Sequence, residues 1–426
     1  FPEGGRSRTG RLLPPKTGML AMTLQALIKG VNRPVSIVPV YIGYEHVMEV
    51  SSYLKELNGT GKKKESFLQI FSAIKKLKNY GYGFLNFGEP INLTNYLDQQ
   101  RPNWRDEQDN NNDKKPQWLT PVVNNLATDV MGRINQAAAI SGMAICAICL
   151  LSAKKHAMAQ TELEQAIEHF LELLSDAPYS VLATIPKISG KKLLENTLKL
   201  NKFTVSEDNF GKIISLKDRN AIPLTYYRNN ILHMFALPGL IAAIVFAHNG
   251  LSKQQILDMV GKLYPLLKRE LFIYMSVAQA ADYTESLINK MLEMGMLETD
   301  DTKVQPPAAT SQSFYSAWLL NRSIQETLQR YAVVLTLLSR QEQVSRSELE
   351  KKSAQFAERL AALHGINSPE FFDKKVLGTF INALKENALI EADDNGQLHH
   401  TEQSVILKTD VINLIEPEIA QRLQQI

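Results

Sequence analysis

Cysteine is almost missing from this chain: among 426 residues there are only Cys146 and Cys149. Two thiols cannot build a disulfide-stapled scaffold, and no second C-x-x-C completes a four-cysteine zinc site. The pair stands one helical turn apart in the apolar run Ala144-Ile145-Cys146-Ala147-Ile148-Cys149-Leu150-Leu151, so it reads as buried structural thiols in a reducing compartment. Charge of one sign is missing too. Forty-seven Lys and Arg against 44 Asp and Glu leave a net +3, which decides little about partners. Long hydrophobic runs are also absent. Ala137 to Ala153 and Ile231 to Ala247 are the most apolar stretches, and both fall short of the roughly 18–20 residues of a spanning helix. They read as helices buried in protein or dipped into one leaflet. Finally, the chain begins on Phe1 with no charged-then-apolar leader pattern behind it, so the expectation is a piece of a longer polypeptide. A 44% hydrophobic and 21% charged composition excludes disorder. The length suits one large or two to three ordinary domains.

What is present is concentrated at the start, Phe1-Pro2-Glu3-Gly4-Gly5-Arg6-Ser7-Arg8-Thr9-Gly10. Gly4 and Gly5 let the backbone approach a ligand closely. Arg6 and Arg8 flank hydroxyl donors Ser7 and Thr9, Arg11 and Lys16 follow, and Glu3 is the one acid before Lys16. Exposed N–H groups with guanidinium forks suit a small anion, phosphate best. The bland alternative is a basic surface loop without a ligand.

Beyond the loop the chain alternates. Thr17 to Lys29 reads as a helix stopped by Gly30, and Ser36 to Tyr44 as a buried strand interrupted by Pro39. A lysine-rich loop (Lys62 to Lys64) precedes an amphipathic helix over Ser66 to Lys78, and Tyr82 to Phe87 is a second strand. This alternation argues an α/β unit over 1–98. Residues 99–116 are polar and asparagine-rich and read as a linker. Residues 117–426 read as mostly helical.

That region contains a repeat. Leu194 to Asp208, Leu287 to Asp301 and Phe380 to Asp394 each read as helix, turn and short strand ending in acidic residues. Their asparagines, Asn196, Asn289 and Asn382, recur at 93 residues (289 − 196 and 382 − 289). The order suggests winged-helix-like modules ending near 208, 301 and 394. A nucleic-acid role is not expected, because the second and third recognition-helix positions pair Lys290 with Glu285 and Glu293, and Lys385 with Glu386. Lys154, Lys155 and the lysines of 62–78 would instead favour an anionic phospholipid surface.

Phe1 to Gly18 resembles the third sequence block of the large bacterial membrane-bound glycerol-3-phosphate 1-O-acyltransferases, and Val35 to Val50 their fourth. The likeness continues through Asn86-Phe87-Gly88-Glu89-Pro90, Pro116-Gln117-Trp118-Leu119-Thr120-Pro121 and Tyr226-Tyr227-Arg228-Asn229-Asn230-Ile231-Leu232-His233. The resemblance implies acyl transfer from acyl-CoA or acyl-carrier protein to the 1-hydroxyl of sn-glycerol 3-phosphate, giving lysophosphatidic acid. It implies the C-terminal half of an α/β acyltransferase core followed by the helical region, at the cytoplasmic face of the bacterial inner membrane, peripheral or monotopic. It places Glu3, Gly4, Gly5 and Arg6 in the glycerol-3-phosphate site, with Ser7, Arg8 and Thr9 matched by position. Val38, Pro39 and Val40 fall on the acyl-donor side. No metal or organic cofactor is implied.

One family feature is missing. The general base of these enzymes is the histidine of a His-x4-Asp pair. The residues five positions after the eight histidines here are Ser51, Thr161, Leu174, Pro238, Lys253, Pro369, Ser404 and Val405. None is aspartate. The resemblance places that pair before Phe1, so no catalytic residue is assigned here and this polypeptide alone is expected to be inactive. His46 and His233 read as structural. The competing reading is a non-enzymatic helical scaffold or nucleic-acid-binding module.

Overall fold

A computed structural model describes all residues except 1, 6, 32, 46, 48–80, 107–115, 217, 249, 301 and 426, together with the side chains of 218–220. The lysine-rich loop and the helix expected over Ser66 to Lys78 therefore lie outside the described residues.

The first helix, α1 (Gly18–Ile28), buries Leu24 and Leu27, three residues apart on one face, and turns Met19 and Met22 to the outside. Proline splits the next apolar run as expected. Without an N–H to give to a ladder, Pro39 ends β1 (Ser36–Ile37) before β2 (Val40–Tyr44) begins. β2 pairs antiparallel with β3 (Gly83–Phe87), Val40 opposite Phe87 through to Tyr44 opposite Gly83. β1 pairs with β4 (Ile91–Asn92), so two small antiparallel ribbons result. Alternation puts Val40, Ile42, Tyr44, Leu85 and Phe87 on one face of the larger ribbon, and the last four of these are exposed. Asn92 caps α2 (Leu93–Gln100), its side-chain oxygen accepting from the Asn95 N–H at 3.1 Å.

The polar stretch 99–116 does not coincide with the division between hydrophobic cores. Trp104, inside that stretch, is buried and donates its indole N–H to Asp98 at 2.7 Å. Helix α3 (Leu119–Gln136) buries Leu119, Val122, Val123, Leu126 and Val130 against α1, β4 and α2. The smaller core thus uses residues from both sides of the polar stretch. The larger core begins after α3.

From there one order of elements occurs three times: a helix, a short strand or bridge, two helices and a β-hairpin. The first set is α4 (Gly142–Ser152), β5 (Ala157–Ala159), α5 (Gln160–Asp176), α6 (Gly190–Leu198), β6 (Thr204–Asp208) and β7 (Gly211–Ser215). The second is α7 (Asp218–Ala247), a bridge at Leu251, α8 (Lys253–Leu271), α9 (Val277–Glu293), β8 (Glu298–Asp300) and β9 (Lys303–Gln305). The third is α10 (Phe314–Ser339), β10 (Val344–Ser345), α11 (Arg346–His364), α12 (Lys374–Glu386), β11 (Ile390–Ala392) and β12 (Gln397–His400). In the first and third sets the lone strand pairs with the last strand of the hairpin, and in the second Leu251 exchanges two backbone hydrogen bonds with Val304, at 3.0 and 2.7 Å. Helices α13 (Glu402–Leu414) and α14 (Pro417–Gln424) close the chain against α10.

Helix α7 is the pillar of the larger core. Its apolar stretch, Ala221–Ala247, is longer than the run beginning at Ile231, and is long and apolar enough to cross a membrane by length and composition. In this fold, 83% of its most apolar window is buried inside the protein. Helix α10 lies close against it at Gly239, where a Cβ would sit 2.9 Å from the Ser323 Oγ and 3.0 Å from the Leu320 carbonyl. Helix α4 is buried likewise, and both Cys146 and Cys149 are fully enclosed and free.

Candidate functional site

The N-terminal loop is held at two places. At its base the Lys16 N–H donates to the Pro2 carbonyl at 2.6 Å, closing residues 2–16 into a ring. Gly4 sits there at φ +64°, where a Cβ would come within 2.6 Å of the Lys16 stem. At its far side, Asn229 on α7 donates to the Thr9 carbonyl at 2.7 Å. Gly10, at φ +76°, lies flat on the α7 backbone, and a Cβ would fall 2.0 Å from the Tyr226 carbonyl oxygen. Arg11 then plunges into the protein and donates to Glu270 at 2.5 Å.

Between these fixings lie the residues assigned by sequence. Glu3 is half-buried, and burial pushes its carboxyl up to about 7 against the N–H donated by Leu13. Gly5 and Arg8 are exposed, and a Cβ on Gly5 would meet nothing within 4 Å. Among the described residues the buried Ser7 hydroxyl has no hydrogen-bond partner. Arg6 lies outside the described residues. Val38 is exposed and Pro39 buried; the Pro39 carbonyl accepts from the Gly88 N–H at 2.8 Å. Val40 opens the strand whose next residue, Tyr41, meets Gly10 and Arg11 around a cavity of about 40 Å³, with Asn135, Asn229, His233 and Glu270 also in its wall. Loop and strand therefore meet here, and the space holds about one water.

Beneath the loop is a buried ionic network that sequence reading missed. Glu270 accepts from Arg11 and from Arg330 at 2.6 Å. Arg228 pairs with Glu326 at 2.9 Å and Glu370 at 2.8 Å, and Asn229 also donates to Glu370 at 2.6 Å. Ser368 bridges the set, donating to Glu326 and accepting from Arg228. Burial disfavours the charged form of Glu270, but the guanidiniums of Arg330 and Arg11 outweigh it and hold the carboxyl down at about 2. Glu326 is lowered in the same way, its burial overcome by Arg228. Three arginines balance three glutamates, the condition under which charges survive inside a protein. The available signal was the polar cluster Arg228-Asn229-Asn230 within an otherwise apolar helix. The partners of that cluster lie as far away as residue 370 and have no local signature.

His233 belongs to the packing. Its Nε2 donates to the Asn135 carbonyl at 3.1 Å, its ring meets Tyr179 edge-on, and burial depresses it to about 4. His46 lies outside the described residues. The motifs outside the loop form joints. Asn86 donates to the Ala137 carbonyl at 2.8 Å and to the Thr184 hydroxyl at 2.9 Å. Glu45 accepts from the Tyr82 and Gly142 N–H groups. The Tyr227 hydroxyl accepts from the Val47 N–H at 3.0 Å.

Comparison with known proteins fits this anatomy in two steps. Residues 1–43, the loop through most of β2, match a family model described as Acyltransferase. Residues 53–393 match the model described as Glycerol-3-phosphate acyltransferase C-terminal region, and the chain belongs to that family. Proteins named glycerol-3-phosphate acyltransferase from Pseudoalteromonas atlantica, Alteromonas mediterranea and Aeromonas hydrophila are 70%, 55% and 45% identical over all of this chain. The chain spans about half the length of these curated relatives, 52% of each.

Proposed function

We propose that the chain is part of a glycerol-3-phosphate 1-O-acyltransferase and carries its glycerol-3-phosphate loop. The acyl group would come from acyl-CoA or acyl-carrier protein, and the product would be lysophosphatidic acid. The observation that carries this reading is a loop with Arg6, Arg8 and a buried Ser7 hydroxyl that has no partner among the described residues, fixed on both sides. Arg6 takes the phosphate, because a guanidinium fork matches its oxygens two at a time. Glu3, carrying a proton near neutrality, adds little repulsion and orients Arg6 or accepts a glycerol hydroxyl. Fixing the glycerol this way brings its 1-hydroxyl to the thioester, and such positioning is worth several kcal/mol. Val38, Pro39 and Val40 stand on the acyl-donor side. The proton is taken by a His-x4-Asp pair that this chain does not contain.

The threefold helix–strand–helix–helix–hairpin order supports reading the large region as three winged-helix-like units used as a scaffold, with 1–98 the acyltransferase portion. The exposed apolar faces of α1 and of the β2–β3 ribbon support attachment to the cytoplasmic face of the bacterial inner membrane. Thermal stabilisation tests the substrate reading. Millimolar sn-glycerol 3-phosphate should raise the melting temperature of the chain, and Arg6→Ala should abolish the rise. An unchanged rise in Arg6→Ala would remove the phosphate role from Arg6.

A further inference from the structure

We propose that helix α7 positions the glycerol-3-phosphate loop, with Asn229 and the Tyr226 carbonyl fixing Thr9 and Gly10, so that the helical region serves the substrate site directly. The inference rests on the substrate reading of residues 3–9 given above.

Three consecutive loop residues are each held by a different kind of contact. The Thr9 carbonyl takes a hydrogen bond from Asn229 at 2.7 Å. Gly10 is in van der Waals contact with the α7 backbone, closer than any side chain allows. Arg11 is anchored in the ionic network through Glu270. The Asn229 amide is itself held by Glu370 at 2.6 Å, and Glu370 by Arg228 at 2.8 Å. A donor restrained from behind loses little freedom on binding its acceptor. The residues before Thr9 are also held by the Lys16–Pro2 closure and by the Leu13 N–H donated to Glu3. Where α7 holds residues 9–11 sets the other end of their geometry. Helix α7 is in turn held by α10 and α4 in the centre of the larger core. A rigid pillar carrying a ligand loop is the arrangement that precise positioning needs. Asn229 and Gly10 need not touch the substrate; they are positioning residues.

The test uses the chain itself, with sn-glycerol 3-phosphate as the probe, read by calorimetry and by amide hydrogen exchange. Asn229→Ala should weaken binding about tenfold, the order of one lost hydrogen bond, and should raise exchange in residues 2–16. Exchange in α7 and α10 should stay unchanged, an outcome that a purely structural role would not give. Asn229→Gln, which keeps an amide donor, should recover part of the affinity. Gly10→Ala, which collides with the Tyr226 carbonyl and removes no side chain of the ionic network, should behave like Asn229→Ala. The proposal is overturned if either variant leaves both affinity and loop exchange unchanged, or if both raise exchange in α10 as much as in the loop. If the unmodified chain ignores the probe, or Arg6→Ala binds it as before, the substrate reading fails instead. Loop exchange alone then decides whether α7 holds the loop.

Discussion

Glu3 and His233 titrate in opposite directions, and both are consequences of burial. Glu3 moves from 4.5 to about 7 on folding. Between those values the folded chain holds a proton that the unfolded chain has released, so its contribution declines as pH rises through that window. Glu3→Gln should therefore leave the melting temperature near pH 4.5 unchanged and raise it at pH 8, as calorimetric scans at the two pH values would show. His233 moves from 6.5 down to about 4, so its contribution is intact above 6.5 and lost as pH falls toward 4. His233→Gln, able to donate to the same Asn135 carbonyl, should make the urea midpoint fall less between pH 6.5 and 4. The glutamate of the ionic network adds to acid sensitivity at lower pH: Glu270, held at about 2, withdraws its contribution below 4.5. Removing one partner from this network is costlier than either titration. Arg330→Met leaves Glu270 with Arg11 alone and should cost about 3–5 kcal/mol in denaturant titrations.

Helices show both what the residues reveal and what they hide. The breaks at Pro39 and Gly30, and the helix–turn–strand repeats, were legible because they depend on local chemistry: a missing N–H, a glycine, an apolar face. The polar stretch 99–116 hides Trp104, because composition is averaged over it while Trp104 is a single buried aromatic that donates to Asp98 and is covered by Arg105. The start of α7 was read too late because Arg228, Asn229 and Asn230 interrupt its apolar run. The Arg228 and Asn229 side chains are satisfied by residues from α10 and the segment around Ser368, and no local pattern announces such distant partners. The apolar half of α7 makes a sharp prediction. Ala243 is 1% exposed and enclosed by protein. Ala243→Lys should abolish the cooperative thermal transition, since an unpaired buried ammonium costs several kcal/mol. If α7 met lipid instead of protein there, the transition would survive.

At the scale of the whole molecule, the proposed substrate reading predicts that binding and proton transfer can be separated. The purified chain should bind sn-glycerol 3-phosphate and form no lysophosphatidate from an acyl-CoA donor, measured by product extraction. A polypeptide of the relatives' full length should show turnover under the same assay. The family was legible in the sequence because short contiguous motifs carry the resemblance. The coupling between the loop and the helices was not, because it is made by contacts such as Arg11 to Glu270, 259 residues apart.

That contact governs how the polypeptide can be cut. Anyone seeking a minimal catalytic unit would divide it at the asparagine-rich stretch. Such a cut would leave the Arg11 guanidinium without its carboxylate, Glu45 without the Gly142 N–H and the Thr9 carbonyl without its amide. It would also strip α3 from the smaller core. Dissection there would yield an insoluble product, and a workable truncation must keep everything through Glu370.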